Sequence, residues 1–422
     1  MAKNKKDDAR RSYLQTALTT AQKEFNSRTV YVAPEHEKKI YGVPFPCLAL
    51  KYLFHSNVLP MSRIIGLAGS FGSCKSSFGF EMLRWLLEWG GIGRLVETEA
   101  KLSEQAATVI GEDSEYLLVE NSSSVQESQK HITGAVELQK KTGFKIPEMV
   151  LCDSLTGSEG EETAKKMFKD GYASKNFPEM ALLWSQWFRV LDTEILDTPF
   201  IFAFTNHLKK KIDAQGPAAQ YAKSKAGGDA QDFHATYYFY MSGVKKLSSV
   251  SRNGLRVKFK SHKNSMGPGG QEIQADFLWE YPDADRPDQQ YSFWDWYGAT
   301  AYFLTDPKTP TAVRNVLDVK VSANKYSCKE LNLSGVSATE LGAAVEGNPD
   351  LVQALEAAMH IPRRRIWYDG KVHAVGTKGA QHSVSSRVPS DFQSTELATE
   401  AVDEKEAVDL ASLPTFGERR ND

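Results

Sequence analysis

A segment rich in glycine and serine carries the clearest chemical signal in the sequence. It follows an apolar run at residues 63–68 and leads into a helical pattern at residues 78–89. The segment reads Gly69, Ser70, Phe71, Gly72, Ser73, Cys74, Lys75, Ser76 and Ser77. Loops of the form G-x-x-x-x-G-K-[ST], placed between a strand and a helix, surround nucleotide phosphates with backbone N–H groups. We therefore predict that residues 69–77 bind a nucleotide.

Two side chains of this loop have defined tasks in such chemistry. Lys75 would reach the β- and γ-phosphates, and the Ser76 hydroxyl would ligate Mg²⁺. The loop also opens a helix, whose unpaired N–H groups favour bound anions. Cys74 departs from the pattern, because glycine usually precedes the lysine. The competing interpretation is a flexible turn with no ligand.

Three further polar residues follow apolar strands. Asp153 ends the run at residues 149–152, which is how a phosphate-loop ATPase holds Mg²⁺. Glu99 follows the run at residues 95–97 and could polarise the water that attacks the γ-phosphate. His207 lies just past the run at residues 200–205, where it could sense that phosphate. Taken singly, each acid could also be a helix cap or a solvated turn.

Two basic segments leave these strand ends. One extends from residue 208 to a Gly-Gly pair and contains Lys209, Lys210, Lys211, Tyr221, Lys223, Lys225, Gly227 and Gly228. The other spans residues 154–176 and contains Lys165, Lys166 and Lys169. Lysines suit a phosphate backbone and an aromatic ring suits a stacked base, so both segments are candidates for contact with a nucleic acid. The alternative is a pair of solvated surface loops.

Alternating apolar runs and helical patterns predict the elements that position these residues. Strands are expected at residues 63–68, 94–97, 116–120, 148–152 and 199–205, with helices at 78–89, 125–141 and 179–195. Strands at 236–241, 255–261 and 272–280 follow one another directly. The predicted fold is α/β, a mostly parallel sheet covered by helices and extended by antiparallel strands.

The pattern also divides the chain into four regions. Residues 1–46 form an N-terminal helical arm, whose amphipathic stretch at 7–26 could pack on its own domain or on a neighbouring subunit. Residues 47–285 form the core, and residues 286–376 a small C-terminal subdomain. Residues 377–422 are rich in Ser, Thr, Ala and acidic residues, which predicts a disordered acidic tail.

Composition excludes several classes of protein. The 422 residues carry a formal charge of -2, so DNA binding must come from local clusters of basic residues. The four cysteines lie far apart, which argues against a zinc site and a disulfide framework. No apolar run is long enough to span a membrane, and the N-terminus lacks a signal core. We therefore predict a cytoplasmic location and no membrane partner.

Taken together, the chain resembles the RecA family of recombinases, and most closely its phage UvsX branch, over roughly residues 50–280. A bulky residue before the lysine, here Cys74, is also found in that branch. The matching segments are residues 69–77, Glu97-Thr98-Glu99, Cys152-Asp153-Ser154, Thr205-Asn206-His207, and Gly227-Gly228-Asp229-Ala230. The last resembles the close of the family's second DNA-binding loop.

The resemblance implies an ATP-dependent recombinase that uses Mg²⁺. Subunits would polymerise head to tail into a helical filament on single-stranded DNA and pair it with homologous double-stranded DNA. Glu99, Lys75 and His207 would be catalytic, with ATP bound between subunits. Residues 257–264 resemble the strand that supplies a cation to the next subunit's ATP, and Lys263 fits that role. Ser265 stands where bacterial RecA proteins have a second lysine.

Two alternatives share the nucleotide site. A hexameric replicative helicase would close into a ring, and a non-catalytic recombination mediator would use the fold only to join a partner. For a recombinase, a single-strand binding protein and a mediator are expected partners. A phage-encoded protein would work in the cytoplasm of its host.

Overall fold

The fold centres on one large sheet in a computed structural model of the chain. The structure describes residues 2–24, 40–99, 104–143, 146–157, 159–161, 163, 165, 169, 179–210, 223–225, 230–249, 252–282, 290–368 and 371–373. The helices are α1 (Ala2–Glu24), α2 (Leu48–Phe54), α3 (Lys75–Glu88), α4 (Glu104–Ile110), α5 (Val125–Thr142), α6 (Glu179–Glu194), α7 (Ala230–His234), α8 (Trp296–Thr305), α9 (Thr311–Arg314), α10 (Ala338–Glu346) and α11 (Pro349–Ala358).

The strands form three sheets. They are β1 (Tyr41–Pro44), β2 (Val58–Pro60), β3 (Arg63–Gly69), β4 (Ile92–Glu97), β5 (Leu117–Asn121), β6 (Glu148–Asp153), β7 (Phe200–Lys210), β8 (Lys223–Lys225), β9 (Tyr237–Ser249), β10 (Arg252–Asn264), β11 (Glu272–Pro282), β12 (Gln290–Asp295), β13 (Val319–Ser322), β14 (Lys325–Cys328), β15 (Leu333–Val336), β16 (Arg365–Tyr368) and β17 (Lys371–His373). The large sheet has the order β12-β11-β10-β9-β3-β7-β6-β4-β5, with β8 paired to β7.

Strand directions in the large sheet agree with the sequence prediction. Strands β5, β4, β6, β7, β3 and β9 pair in parallel with their neighbours. Strands β10, β11 and β12 extend the sheet antiparallel to one another, and β10 is antiparallel to β9. Gly69 lies opposite both His207 and Met241, so the loop after β3 leaves the carboxyl edge. The predicted α/β fold class is confirmed.

Both faces of the sheet are covered by apolar residues. All seven residues of β3 are buried, as expected for a central parallel strand. Trp184 and Phe188 of α6 pack on one face, whereas Phe78 and Trp85 of α3 pack on the other. A Cβ atom at Gly79 would lie 2.7 Å from the Leu151 side chain, so α3 sits close against β6. This packing fixes the start of α3 over the sheet.

Buried ion pairs join the three antiparallel strands to one another. Asp276 and Asp295 are fully buried, and each accepts a hydrogen bond from Arg252, at 2.9 Å and 2.7 Å. Arg256 donates to Asp276 at 2.7 Å. Removing one partner would leave a buried charge uncompensated, so these residues bind β10, β11 and β12 tightly together.

A small sheet brings distant parts of the chain together. Strand β1 pairs in parallel with β16 and antiparallel with β2, although the sequence assigned β1 to the N-terminal arm. The four domain boundaries stay a prediction. Among the described residues, none of the helices has the length and apolar character needed to cross a membrane. The side chains of Tyr13 and Leu14 in α1 are exposed.

Strand β7 is longer than the sequence predicts. Strand β7 continues past residue 205 to Lys210, and its end pairs with β8. The lysine run has low strand propensity, so the sequence suggested a loop. Long-range pairing with residues 223–225 supplies the main-chain hydrogen bonds that override this local preference.

Candidate nucleotide-binding and DNA-binding site

The loop at residues 69–77 holds Cys74 in a backbone conformation that favours glycine. Cys74 precedes α3 with φ 58° and ψ 31°, in the left-handed region, and Gly72 has φ 71°. A residue other than glycine costs about 1 kcal/mol or more in that conformation. Burial raises the pKa of the Cys74 thiol to about 12, so the thiol is protonated at neutral pH. The position therefore requires a left-handed backbone, which glycine usually supplies.

Lys75 lies folded inside the same loop. It is 6% exposed, and its Nζ donates to the Ser70 carbonyl at 2.8 Å. The Ser73 hydroxyl donates to the same carbonyl at 2.8 Å. Burial lowers the pKa of Lys75, and the nearby carboxylates of Asp153 and Glu99 oppose that shift. The loop thus holds a buried cation beside two acids.

Hydroxyl groups fix the two carboxylates at the strand ends. Thr205 donates to Asp153 Oδ1 at 2.5 Å. Thr98 Oγ1 accepts from the Ser154 N–H at 3.0 Å, and Ser154 Oγ donates to Glu99 Oε1 at 3.2 Å. Sequence reasoning assigned no task to Thr205 or Thr98. The only feature in the sequence that could have indicated them is that each is a hydroxyl residue at the carboxyl end of a predicted parallel strand.

His207 lies beside Glu99. Its Nε2 is 3.7 Å from Glu99 Oε1, and both side chains are about two-thirds buried. Burial, followed by the charge of Lys75, lowers the pKa of His207, whereas Glu99 and Asp153 partly counter that shift. The imidazole is therefore mostly neutral at pH 7 and can donate or accept a hydrogen bond.

The donor set suits a nucleotide with Mg²⁺. Mg²⁺ prefers hard oxygen ligands, and the Ser76 hydroxyl and Asp153 carboxylate are of that type. The N-terminus of α3, the buried Lys75 and the left-handed turns at residues 72 and 74 suit a phosphate group. The residues present therefore fit both groups.

Lys263 lies apart from the side chains of Lys75, Glu99, Asp153 and His207. It pairs with Tyr238 near the start of β9, whereas the loop follows Gly69, which pairs with Met241 further along β9. The two positions are three residues apart along the strand direction, which is about 10 Å. They are also two strands apart across the sheet, which is again about 10 Å. Lys263 Nζ instead donates to the carbonyls of Asp232 and Phe233, both at 2.7 Å. Lys263 thus caps the C-terminal end of α7.

Several predicted DNA-binding residues lie on a hairpin at the same edge of the sheet as His207. Lys209 lies opposite Ser224, and Lys210 opposite Lys223. Lys225 lies opposite Leu208. In the other basic segment, Lys165 and Lys169 are exposed. Lys166, Lys211, Tyr221, Gly227 and Gly228 lie outside the described residues.

A group of buried hydrogen bonds near the hairpin was not suggested by the sequence. Asn206 Nδ2 donates to Gln231 Oε1 at 2.6 Å, and Tyr238 OH donates to the same oxygen at 3.0 Å. The contact joins β7 to α7 across residues distant in sequence, so no local pattern could have indicated it.

Comparisons with known proteins match the part of the chain that contains the loop. Residues 12–281 match the model of the RecA N-terminal domain. Protein RecA of Campylobacter lari is 24% identical over 277 residues, which cover 64% of this chain and 76% of that protein. Protein RecA of Bifidobacterium longum is 22% identical over 279 residues, covering 66% and 67% respectively.

A third relative gives the same picture. Protein RecA of Campylobacter fetus subsp. fetus is 23% identical over 277 residues, covering 64% of this chain and 76% of that protein. The family match spans more than half of the chain and contains the loop, the strand-end carboxylates and Lys263. The chain therefore belongs to the RecA N-terminal domain family.

Proposed function

We propose that this protein is a DNA-dependent ATPase and recombinase. It forms a head-to-tail helical filament on single-stranded DNA, pairs that strand with a homologous duplex and exchanges strands. The observation that carries the proposal is the group of Lys75, Glu99, Asp153 and His207 at the carboxyl edge of the sheet. Ligands of open α/β sheets bind at that edge.

Each of these residues has a proposed task toward ATP. The backbone of residues 69–77 and the Lys75 ammonium bind the phosphates, while Ser76 and Asp153 hold Mg²⁺. When bound, Mg²⁺ neutralises phosphate charge. Glu99 orients and polarises the attacking water through its carboxylate. His207, neutral and next to Glu99, donates to or accepts from groups near the γ-phosphate.

The location of Lys263 supports an intersubunit site. It lies away from this chain's own loop, and in the filament its ammonium would exchange the carbonyls of Asp232 and Phe233 for the nucleotide of a neighbouring subunit. A contact that joins opposite faces of two copies is heterologous, and such contacts generate open helices when the rotation does not close. Lys263 therefore acts in trans in the proposed filament.

The basic segments provide the proposed DNA contacts. Lys209, Lys210, Lys223 and Lys225 lie on the hairpin of β7 and β8, directly after His207. The exposed Lys165 and Lys169 add charge from the other segment. The remaining predicted contacts, Lys166, Lys211, Tyr221, Gly227 and Gly228, belong to the same two segments. Release of counterions from DNA phosphates would make binding strongly dependent on salt.

Finer assignments belong to the same proposal. Cys74 at the position before the lysine supports membership of the UvsX branch, and therefore a phage protein acting in the host cytoplasm. A single-strand binding protein and a mediator are proposed partners. The N-terminal arm, with Tyr13 and Leu14 exposed on α1, is proposed to pack on a neighbouring subunit.

Electron microscopy tests the proposal directly. Purified protein is mixed with single-stranded DNA and a slowly hydrolysed ATP analogue, and helical filaments are the expected result. Closed rings with directional unwinding would instead identify a helicase. ATP hydrolysis that DNA does not stimulate would favour a non-catalytic mediator.

A further inference from the structure

A single buried amide oxygen accepts hydrogen bonds from two strands of the large sheet. Asn206 on β7 and Tyr238 on β9 both donate to Gln231 Oε1, at 2.6 Å and 3.0 Å. All three side chains are at most 1% exposed. Burial raises the pKa of Tyr238 well above its usual value, so its hydroxyl keeps the proton that it donates.

Asn206 and Gln231 lie on either side of the basic segment in the sequence. Asn206 directly precedes His207, and Gln231 follows the Gly227-Gly228 pair that closes the basic segment. The contact therefore joins both ends of the segment at residues 208–229. Separating the ends would leave buried donors without their acceptor, which is costly. Helix α7 is thus tied to the strand that carries His207.

The other end of α7 is also held by a side chain. Lys263 Nζ donates to the carbonyls of Asp232 and Phe233 at its last turn. Helix α7 is anchored at its start to β7 and at its end to the lysine proposed to act in trans. Helix α7 therefore has side-chain contacts with both β7 and β10.

We propose that Gln231 is a positioning residue that couples nucleotide binding at His207 to DNA binding by the basic segment at residues 208–229. The coupling rests on the proposed function, because it requires DNA to bind that segment. Linkage makes the coupling reciprocal: nucleotide changes DNA affinity by the same factor by which DNA changes nucleotide affinity. Since the amide carries no charge, the proposed coupling comes from the hydrogen bonds that Gln231 accepts.

Substitution of the amide tests the coupling. Gln231→Met keeps a long unbranched side chain and removes the acceptor. The affinity for a fluorescent oligothymidylate is measured at fixed salt, with and without a slowly hydrolysed ATP analogue. The ratio of the two dissociation constants measures the coupling, which in such systems is typically about 5- to 150-fold. We expect the ratio to fall at least about fivefold toward one, with nucleotide-free DNA affinity unchanged within about twofold.

A matched control separates coupling from loss of packing. Gln139 is also a buried amide, and its Nε2 donates to the Ile146 carbonyl and Glu148 Oε2, away from the site. Gln139→Met should leave the ratio at the wild-type value. Tyr238→Phe removes one of the two donors, so an intermediate ratio is expected. It also serves as the test if Gln231→Met does not fold.

Three results would overturn the coupling. The first is a wild-type ratio in folded Gln231→Met, or in Tyr238→Phe if Gln231→Met does not fold. The second is an equal loss of coupling in Gln139→Met. In both cases the recombinase function would stand. The third is wild-type protein whose DNA binding does not respond to nucleotide, which would overturn the proposed function as well.

Discussion

The hydrogen bond from Thr205 to Asp153 gives a sharp test of the proposed Mg²⁺ site. Thr205 is 1% exposed and donates to a carboxylate at 2.5 Å. Thr205→Val keeps the branched shape and the strand preference, and replaces the hydroxyl by a methyl group. A hydrogen bond to a charged group contributes about 1.5 to 3 kcal/mol, so the free energy of unfolding should fall by that amount.

Loss of the same bond should weaken Mg²⁺ binding and so raise the Mg²⁺ concentration that ATP hydrolysis requires. Partners that orient a ligating group are typically worth about 10- to 100-fold in metal affinity. The Mg²⁺ concentration for half-maximal ATPase activity should therefore rise about tenfold or more in Thr205→Val. The assay is a Mg²⁺ titration at saturating ATP, paired with urea unfolding without nucleotide.

Thr198 provides a matched control. It is also a buried threonine, but its hydroxyl donates to the neutral carbonyl of Ile195 at 2.6 Å. Thr198→Val should cost only about 0.5 to 1.5 kcal/mol of stability and leave the Mg²⁺ titration unchanged. In an Asp153→Asn background, Thr205→Val should cost less than in wild type. An unchanged Mg²⁺ requirement in Thr205→Val would refute the assignment of Asp153.

Three further predictions concern the other site residues. Lys75→Ala should abolish ATP hydrolysis, since it removes the loop's only buried cation among the described residues; surviving turnover in a steady-state assay would contradict the loop assignment. Glu99→Gln should preserve nucleotide binding and slow single-turnover hydrolysis, whereas lost binding would mark a structural carboxylate. Replacing Lys209, Lys210 and Lys211 by alanine should reduce the slope of log affinity against log salt by about one per lost phosphate contact. An unchanged slope would show that these lysines do not contact DNA phosphates.

Local patterns in the sequence were sufficient to predict the central strands of the large sheet and the position of the loop at residues 69–77. Apolar runs such as residues 63–68 and 148–152 are central strands because their side chains are buried on both faces. Asp153 directly follows one run and Lys75 follows the other after a six-residue turn, so the strand before each side chain determines its position. The parallel order then brings those groups to one edge.

Contacts between distant residues could not be read from the sequence. The pairing of β1 with β16 and the extension of β7 along β8 depend on partners far along the chain. The acceptor role of Gln231 depends on Asn206 and Tyr238 being buried together. Lys263 is a similar case, because only the fold shows which carbonyls its ammonium contacts.

The left-handed backbone at Cys74 has a consequence for how such proteins are found. The loop needs a φ of about 58° at this position, and a thiol-bearing residue supplies it. The requirement is therefore conformational rather than chemical, so other residues that tolerate positive φ, such as asparagine, are expected in the same place. A search pattern that insists on glycine before the lysine would overlook this chain and every relative that shares its substitution.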